Sequence, residues 1–416
     1  MKHLQGRIRD YAWGSPAAIP KMFGFSPMGR PIAELWLGAH PASPSRIGVA
    51  PNSAVLDLSR FAAGDAGLTG TENFLDDYIA QAPEMVLGEP SESPNFPQLP
   101  YLLKIISADT PLSLQVHPSK AQATAGYDRE DAAGIELCSP ERSYQDRNHK
   151  PELLCALSDF EAIVGFRTPR RIVDVLSGLG VPLANQIAEL IRQRPNAAGV
   201  RNVFAYLLGV DTPPNAAQIH EVIAACAERD PAASPSPRAD AIVVELAKHY
   251  GEDPGVVASL LLNPVSLQPG EAIFVPAGTV HAYLRGTGVE IMAASDNVLR
   301  AGLTPKYVDV SELMKVVETV AAPPIRIAPE QMSPVQQTFY APVDDFELSL
   351  IELRDANRLE HIRGAGPRIL LCLTGAAQVV ASETLLVNTG QAVFLDAADG
   401  PVSIRGAGRF VLAAVP

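Results

Sequence analysis

The sequence predicts a mainly β protein made of two β parts, with a helical segment inserted into the first. Three observations carry that prediction. Proline (37) and glycine (31) are frequent and scattered through the 416 residues, as expected where many short strands meet at turns. The apolar spacing shifts to a helical period only between about 168 and 262. A proline-rich break at 321–334 then precedes a last run of strand-like segments.

Residues 100–118, PYLLKIISADTPLSLQVHP, read as two strands about a turn at Asp109-Thr110-Pro111. Thr168-Pro169 reads as an N-cap followed by proline in the first turn of a helix. Ile172, Val175, Leu176 and Leu179 follow at helical spacing, then Ile187, Leu190 and Ile191, then Ile219, Val222, Ile223 and Cys226. The stretch 230–240, DPAASPSPRAD, reads as a loop, and Asp253-Pro254 as the cap of a last helix through Leu262. Residues 265–296 return to strands, with turns at Pro269-Gly270, Pro276-Ala277-Gly278 and Gly286-Thr287-Gly288. Beyond the break, PRILLCLTG, AAQVVAS and QAVFLDA alternate with turns and read as a separate small sandwich or barrel. The expected domains are 1–165 joined with 263–322, a helical insertion at 166–262, and a C-terminal β domain at 323–416.

Composition narrows the partners. A formal net charge of -13 argues against a nucleic-acid partner, which needs a basic face. It still allows an anionic small molecule in a locally basic pocket. Cys138, Cys155, Cys226 and Cys372 are far apart and form no CxxC pair, against a disulfide framework or a thiolate metal site. The opening MKHLQGRIRDYAWGS lacks the apolar stretch of a secretory signal. No run approaches the ~18 apolar residues that span a bilayer. A cytoplasmic protein with no membrane partner is expected.

In LSLQVHP (112–118), strand alternation puts Leu112, Leu114 and Val116 on one face and Ser113, Gln115 and His117 on the other. That polar face is either a barrel interior where Gln115 and His117 converge on a metal, or simply a face in water. In NHKPELLCAL (148–157), Glu152 opens an apolar strand and Lys150 points the same way; Glu152 is a ligand or an edge charge. His149 faces away from Glu152. In GEAIFVPAGTVHAYL (270–284), a strand at Ala272–Val275 reaches a Pro-Ala-Gly turn, and a second strand carries His281 with Tyr283 on the same face. Strand, turn and histidine in that order is a common layout of metal-binding β-barrels. Together the four make an N/O donor set suited to Zn, Fe, Mn or Co, with the ion undetermined. Asp296, Arg300 and Lys306 follow Glu290 in a turn-rich stretch, as pocket charges or as a solvated loop.

Tyr11-Ala12-Trp13-Gly14, AELWLGAHPASPS (33–45), LLKII (102–106), LSLQVHP, NHKPELLCAL, VPAGTVHAYL and SDNVLRAGLTPKY resemble the type I mannose-6-phosphate isomerases, in order, over residues 1 to about 315. The C-terminal part resembles them only in its β character. The resemblance implies a cupin-like jelly-roll catalytic domain, an inserted helical domain and a second C-terminal β-barrel or sandwich. It implies one Zn²⁺ per chain on Gln115, His117, Glu152 and His281, and a sugar phosphate as substrate. Lys104, Ser113, Tyr283 and Lys306 would bind substrate. Arg300 would stabilise an enediolate, and Lys150, Glu290, Asp296 and a metal-bound water stand as candidates for the proton-transferring base. The chain is expected as a monomer. Two other classes stand beside it: an iron-dependent cupin oxygenase, which would consume oxygen, and a non-catalytic sugar-phosphate-binding cupin, which would not require Glu152, Lys150 and Arg300 together.

Overall fold

The computed structural model describes residues 1–27, 29–51, 53–56, 73–89, 96–210 and 213–416. Among these residues the protein is mainly β, with an eleven-stranded and a ten-stranded antiparallel sheet.

The eleven-stranded sheet hinges on one strand, His281–Ala293. Its first half pairs with Gln115–Val116 and Phe160–Phe166, and its second half with Tyr101–Ala108 and Glu152–Ala156. Between the halves, a register shift at Tyr283/Arg285 and a positive φ of 125° at Gly286 bend the strand. A Cβ at Gly286 would meet the Asp159 carbonyl oxygen at 2.6 Å, so only glycine fits there. The turn expected at Gly286-Thr287-Gly288 is therefore a bend inside a continuous strand, since Gly286, Thr287 and Gly288 all pair with 106–108. Residues of both halves, among them Ile106, Leu154, Phe160, Val164 and Tyr283, then meet in one apolar cluster.

The helices from Pro169–Leu176 to Pro254–Ala258 lie between strands Phe160–Phe166 and Leu262–Leu267. Those two strands are antiparallel neighbours, so the chain re-enters the sheet beside the point where it left. Thr168 caps the first helix by accepting from the Arg171 N–H, with Pro169 as its first residue. Ile172, Val175, Ile187, Ile191, Ile219 and Val222 share one core. Leu190 does not, being 38% exposed; Ile187 and Ile191 cover the inward face of helix Pro182–Gln193 and leave Leu190 at its rim. The loop after 230 ends earlier than its sequence suggests, because Pro237 already starts a helix. The last helix stops at Ala258, followed by one 3₁₀ turn, because Leu262 is already a strand residue paired with Phe166. The helical core also takes in Leu114, Val116, Val280, Ala282, Leu284 and Leu299. Helices thus cover the outer face of the strands whose alternate residues point inward.

The ten-stranded sheet is centred on Ala365–Val380 and Val402–Val415. The N-terminal strand Lys2–Gln5 extends it by pairing with Ala392–Leu395. Conversely, Ile325–Ile327 pairs with Ala272–Val275 in the other sheet. The chain laces the sheets together, and Leu103, Ile105 and Ile291 of one pack with Phe339, Phe394 and Val411 of the other. No described helix is long and apolar enough to cross a membrane.

Candidate metal centre

Of residues 112–118, only Gln115–Val116 is paired strand; Leu112 and Leu114 donate instead to the carbonyls of Tyr283 and Gly302. The second strand expected here is thus shorter, because Pro111 and Pro118 bracket it. Its alternation survives from Leu114 onward, with Leu114 and Val116 in the helical core, whereas Leu112 packs with Tyr283 and Val164. Leu112, Leu114 and Val116 are buried, Ser113 and Gln115 are half-buried, and His117 is only 1% exposed. A face in water is excluded for His117 by that burial. Gln115 sits directly opposite His281 on one side and Arg300 on the other. Opposed residues project from the same face, so Arg300, Gln115 and His281 form a row across three strands.

Glu152 is the first residue of strand Glu152–Ala156, opposite Met292 and Val275. The Pro-Ala-Gly turn delivers His281: Gly278 adopts φ 80° and its N–H donates to the His117 carbonyl. Three buried side chains converge, with ligand-type atoms of His117, Glu152 and His281 all within 4.8 Å of one another. His117 Nε2 lies 3.2 Å from Glu152 Oε1, and His281 Nε2 lies 3.3 Å from Glu152 Oε2.

The protons on these rings follow from their other nitrogens. His117 Nδ1 is 2.7 Å from the Asn297 carbonyl, and His281 Nδ1 is 3.1 Å from the Thr279 carbonyl. A carbonyl only accepts, so each Nδ1 carries a proton, and a neutral ring then presents the Nε2 lone pair towards Glu152. Burial pushes His117 down to about 4, so the ring is neutral near pH 7. Burial alone would raise Glu152, but with the His117 ring neutral it is the Lys150 ammonium, its Nζ 3.3 Å away, that holds the carboxyl below its ordinary range. Lone pairs therefore face an anion. His117 Nε2 and Glu152 Oε2 are buried without a hydrogen-bond partner. A divalent cation satisfies these atoms, and two imidazoles, a carboxylate and the Gln115 amide suit it chemically.

Further charges surround this centre. Lys104 Nζ lies 3.4 Å from Glu290 Oε2, 4.0 Å from Glu34 Oε1 and 4.9 Å from the Trp36 ring centre. Burial alone would lower Lys104, but Glu34 and Glu290 raise it, and it stays charged. Burial and then Glu152 push Glu290 up, against the pull of Lys104. The Tyr283 ring lies 5.8 Å from that of His281, and its buried hydroxyl has no partner. Asp296 and Arg300 are half-buried, and Lys306 is exposed. Burial lowers Arg300, against the field of Asp296. Burial and then Arg300 lower Lys306. The sequence-predicted residues thus separate into a buried set (Lys104, Lys150, Tyr283, Glu290) and a more open set (Ser113, Asp296, Arg300, Lys306). His149 turns away as expected, to Asp345 Oδ2 at 2.9 Å.

Four residues near the site escaped the sequence reading. Glu34 and Trp36 hold Lys104, and Trp36 Nε1 donates to Glu34 at 2.7 Å. His40 stands edge-on to Trp36 at 5.3 Å; burial pushes it down to about 4, and it feels Asp296, Lys104 and Lys150. Asn297 supplies the carbonyl behind His117. His40 lies in a loop without periodicity, and a backbone carbonyl leaves no mark in residue type; only Glu34 and Trp36, alternating on one strand, carried a usable signal.

Residues 1–169 match the family described as phosphomannose isomerase type I, catalytic domain. The chain is 38% identical over 419 residues to the mannose-6-phosphate isomerase of Escherichia coli (strain K12), covering 98% of each protein. It is 30% identical over 423 residues to the mannose-6-phosphate isomerase of Rattus norvegicus, covering 93% of each. Among solved structures, a mutant of phosphomannose isomerase from Salmonella typhimurium is similar at a TM-score of 0.85 and 36% identity, covering 100% of this chain and 99% of that one. A mannose 6-phosphate isomerase bound with zinc and yttrium is similar at a TM-score of 0.83 and 36% identity, with the same coverage.

Proposed function

The chain belongs to the type I phosphomannose isomerase family, and we infer that it interconverts D-mannose 6-phosphate and D-fructose 6-phosphate with zinc as its metal. It is an aldose–ketose isomerase, an enzyme of carbohydrate and mannose metabolism. The observation that carries this reading is the buried His117–Glu152–His281 group with its unsatisfied lone pairs, set among cationic side chains. Of the alternatives, neither the oxygenase nor the binding protein is favoured.

His117, Glu152 and His281, with Gln115 opposite His281, would hold the zinc. When bound, it supplies Lewis acidity beside the carbonyl and hydroxyl oxygens of the opened sugar. The protein does the rest. The reaction moves a proton between C2 and C1 and another between the two oxygens, through a cis-enediol. Negative charge develops on oxygen, and we assign its stabilisation to Arg300; its register opposite Gln115, in the row with His281, supports that assignment. Lys150 is tied to Glu152 and Glu290 to Lys104. Asp296 is half-buried and electrically close to Arg300. We therefore assign the proton transfer to Asp296, and to Glu290 the balancing of the Lys104 charge. Lys306, Ser113 and Lys104 are assigned to the phosphate, and Tyr283 to the sugar side of the pocket.

We read residues 1–165 with 263–322 as a cupin-like jelly roll, 166–262 as its helical insertion, and 323–416 as a second β domain, with strands Lys2–Gln5 and Ile325–Ile327 exchanged across that boundary. We place the protein in the cytoplasm as a monomer, a setting that suits four unpaired cysteines. A coupled assay tests the function: fructose 6-phosphate forms from mannose 6-phosphate with the zinc-loaded protein and stops with chelator. No turnover when zinc-loaded, or turnover surviving complete metal removal, would overturn it.

A further inference from the structure

We propose that Asn297 and Asp146 are positioning residues that set the zinc affinity of the site by locking two loops behind His117. This rests on the zinc reading of the His117–Glu152–His281 group.

Asn297 is fully buried and touches no reacting group, yet every polar atom of its side chain is committed. Its Nδ2 donates to the carbonyls of Asp146 and Asn148 at 2.9 and 2.8 Å, and to Asp146 Oδ1 at 3.1 Å. Its Oδ1 accepts from the N–H groups of Gln145 and Asp146 at 2.7 and 3.1 Å. Asp146 answers from the other loop: its Oδ2 accepts from the Asp296 N–H at 2.9 Å and the Ser295 hydroxyl at 3.1 Å. Ser295 Oγ in turn accepts from the Asn297 N–H at 3.2 Å. The result is a closed knot between residues 145–148 and 295–297.

Each strand of the knot leads to a working residue. The first loop runs directly into Lys150 and Glu152. The second runs into Arg300, and the Asn297 carbonyl is the acceptor at 2.7 Å for His117 Nδ1. The Asn297 backbone carbonyl thus fixes the tautomer of one ligand, and its side-chain amide holds both that carbonyl and the approach of the segment bearing another in place. An outer hydrogen bond of this kind sets both the basicity and the orientation of a ligating imidazole. A fully satisfied buried network also holds a single geometry, which a partly satisfied one does not.

The test uses purified full-length protein stripped of metal, with zinc affinity measured by competition against a chromophoric chelator. Circular dichroism and thermal melting of the same metal-free samples report folding. Asn297→Asp keeps the shape but replaces three donated bonds with acceptor-to-acceptor contacts. It is expected to bind zinc about 10- to 100-fold more weakly. Ser295→Ala removes only the hydroxyl link; it is the variant that decides if Asn297→Asp does not fold, and it is expected to lose affinity in the same direction. Arg147→Ala, in the same loop but with its side chain outward on Asp128, is expected to bind zinc as wild type does. Unchanged zinc affinity in folded Asn297→Asp and Ser295→Ala, or an equal loss in Arg147→Ala, overturns the proposal. A wild-type protein that binds no zinc overturns the metal reading instead, so the two failures are distinct.

Discussion

The two sheets bury their interiors in opposite ways. The central strands of the ten-stranded sheet are apolar on both faces: Leu370, Cys372, Ile404, Phe410 and Leu412 pack on one side, and Ile369, Leu371, Val411 and Ala413 on the other. The folded sheet around His281–Ala293 is apolar outward, where Ala282 and Leu284 meet the helices, and mixed inward, where Leu154, Phe160 and Val164 cluster beside charged groups. Inward it carries His117, Lys104, Lys150, Glu152, His281 and Glu290, all buried. The same backbone ladder supports both. The difference is what each interior demands: an apolar side chain needs only close packing, whereas a buried charge needs a partner for every lone pair or proton. Lys104 finds Glu290 and Glu34, and Lys150 finds Glu152. The His117 Nε2 and Glu152 Oε2 atoms are left without a hydrogen-bond partner, at the group that could hold a metal.

That contrast can be broken most sharply at its two centres. Glu152→Ala is expected to lower kcat/KM at least ~10³-fold, about 4 kcal/mol of transition-state stabilisation. The same variant loses the rise in melting temperature that zinc gives the wild type, readable by calorimetry with and without metal. Phe410→Ala should do the reverse. It costs about 3–5 kcal/mol of stability in a urea titration, while the folded protein keeps wild-type zinc affinity and kcat. A large loss of zinc affinity there would show that the sheets do not act separately.

Arg300→Met is expected to lower kcat by about 10²-fold through loss of charge stabilisation at the enediolate. Its zinc affinity and melting temperature should stay near wild type, since Arg300 lies in the row with Gln115 and His281 but is not among the proposed ligands. The smallest effect concerns pH. Burial alone pushes Glu347, in the ten-stranded sheet, up to about 7. The folded state then binds a proton more tightly than the unfolded one, so this carboxyl favours folding below about 4.5 and that support is lost as pH rises through about 7. Glu347→Gln should be more stable than wild type at pH 8 by on the order of 1 kcal/mol, after allowance for its incomplete burial. The two proteins should converge near pH 4. At the site the slope has the opposite sign. His40, held down to about 4, makes stability rise with pH between about 4 and the unfolded value of 6.5. Melting temperatures of both proteins across pH 4–8 measure the two slopes.

Much of this was legible in residue order. Strand Ala272–Val275, the Pro-Ala-Gly turn after it and the Thr168 cap stand where their residue types put them, because each rests on local backbone preference. The inward placing of Gln115 and His117 also follows from alternation, which outlasts the shrinking of its strand to Gln115–Val116. Errors fell where local signals were overruled by pairing. Gly286-Thr287-Gly288 looked like a turn, but strands on both sides hold it straight except for one glycine bend.

The sequence by itself determined the kind of chemistry: an oxygen- and nitrogen-donor site without thiolates, strands with one polar face, and motifs shared with a family of isomerases. Tertiary structure alone decided how those donors are used. Glu152 and His281 are 129 positions apart in the chain yet 3.3 Å apart in space. No local preference spans that interval; only the folding of the sheet at Gly286 and the closure of the helical excursion bring them together. The proton on each ring was decided there too, by carbonyls of Asn297 and Thr279 that any residue would have supplied. Side-chain identity sets what a group can do, and the backbone around it sets which of those things it does.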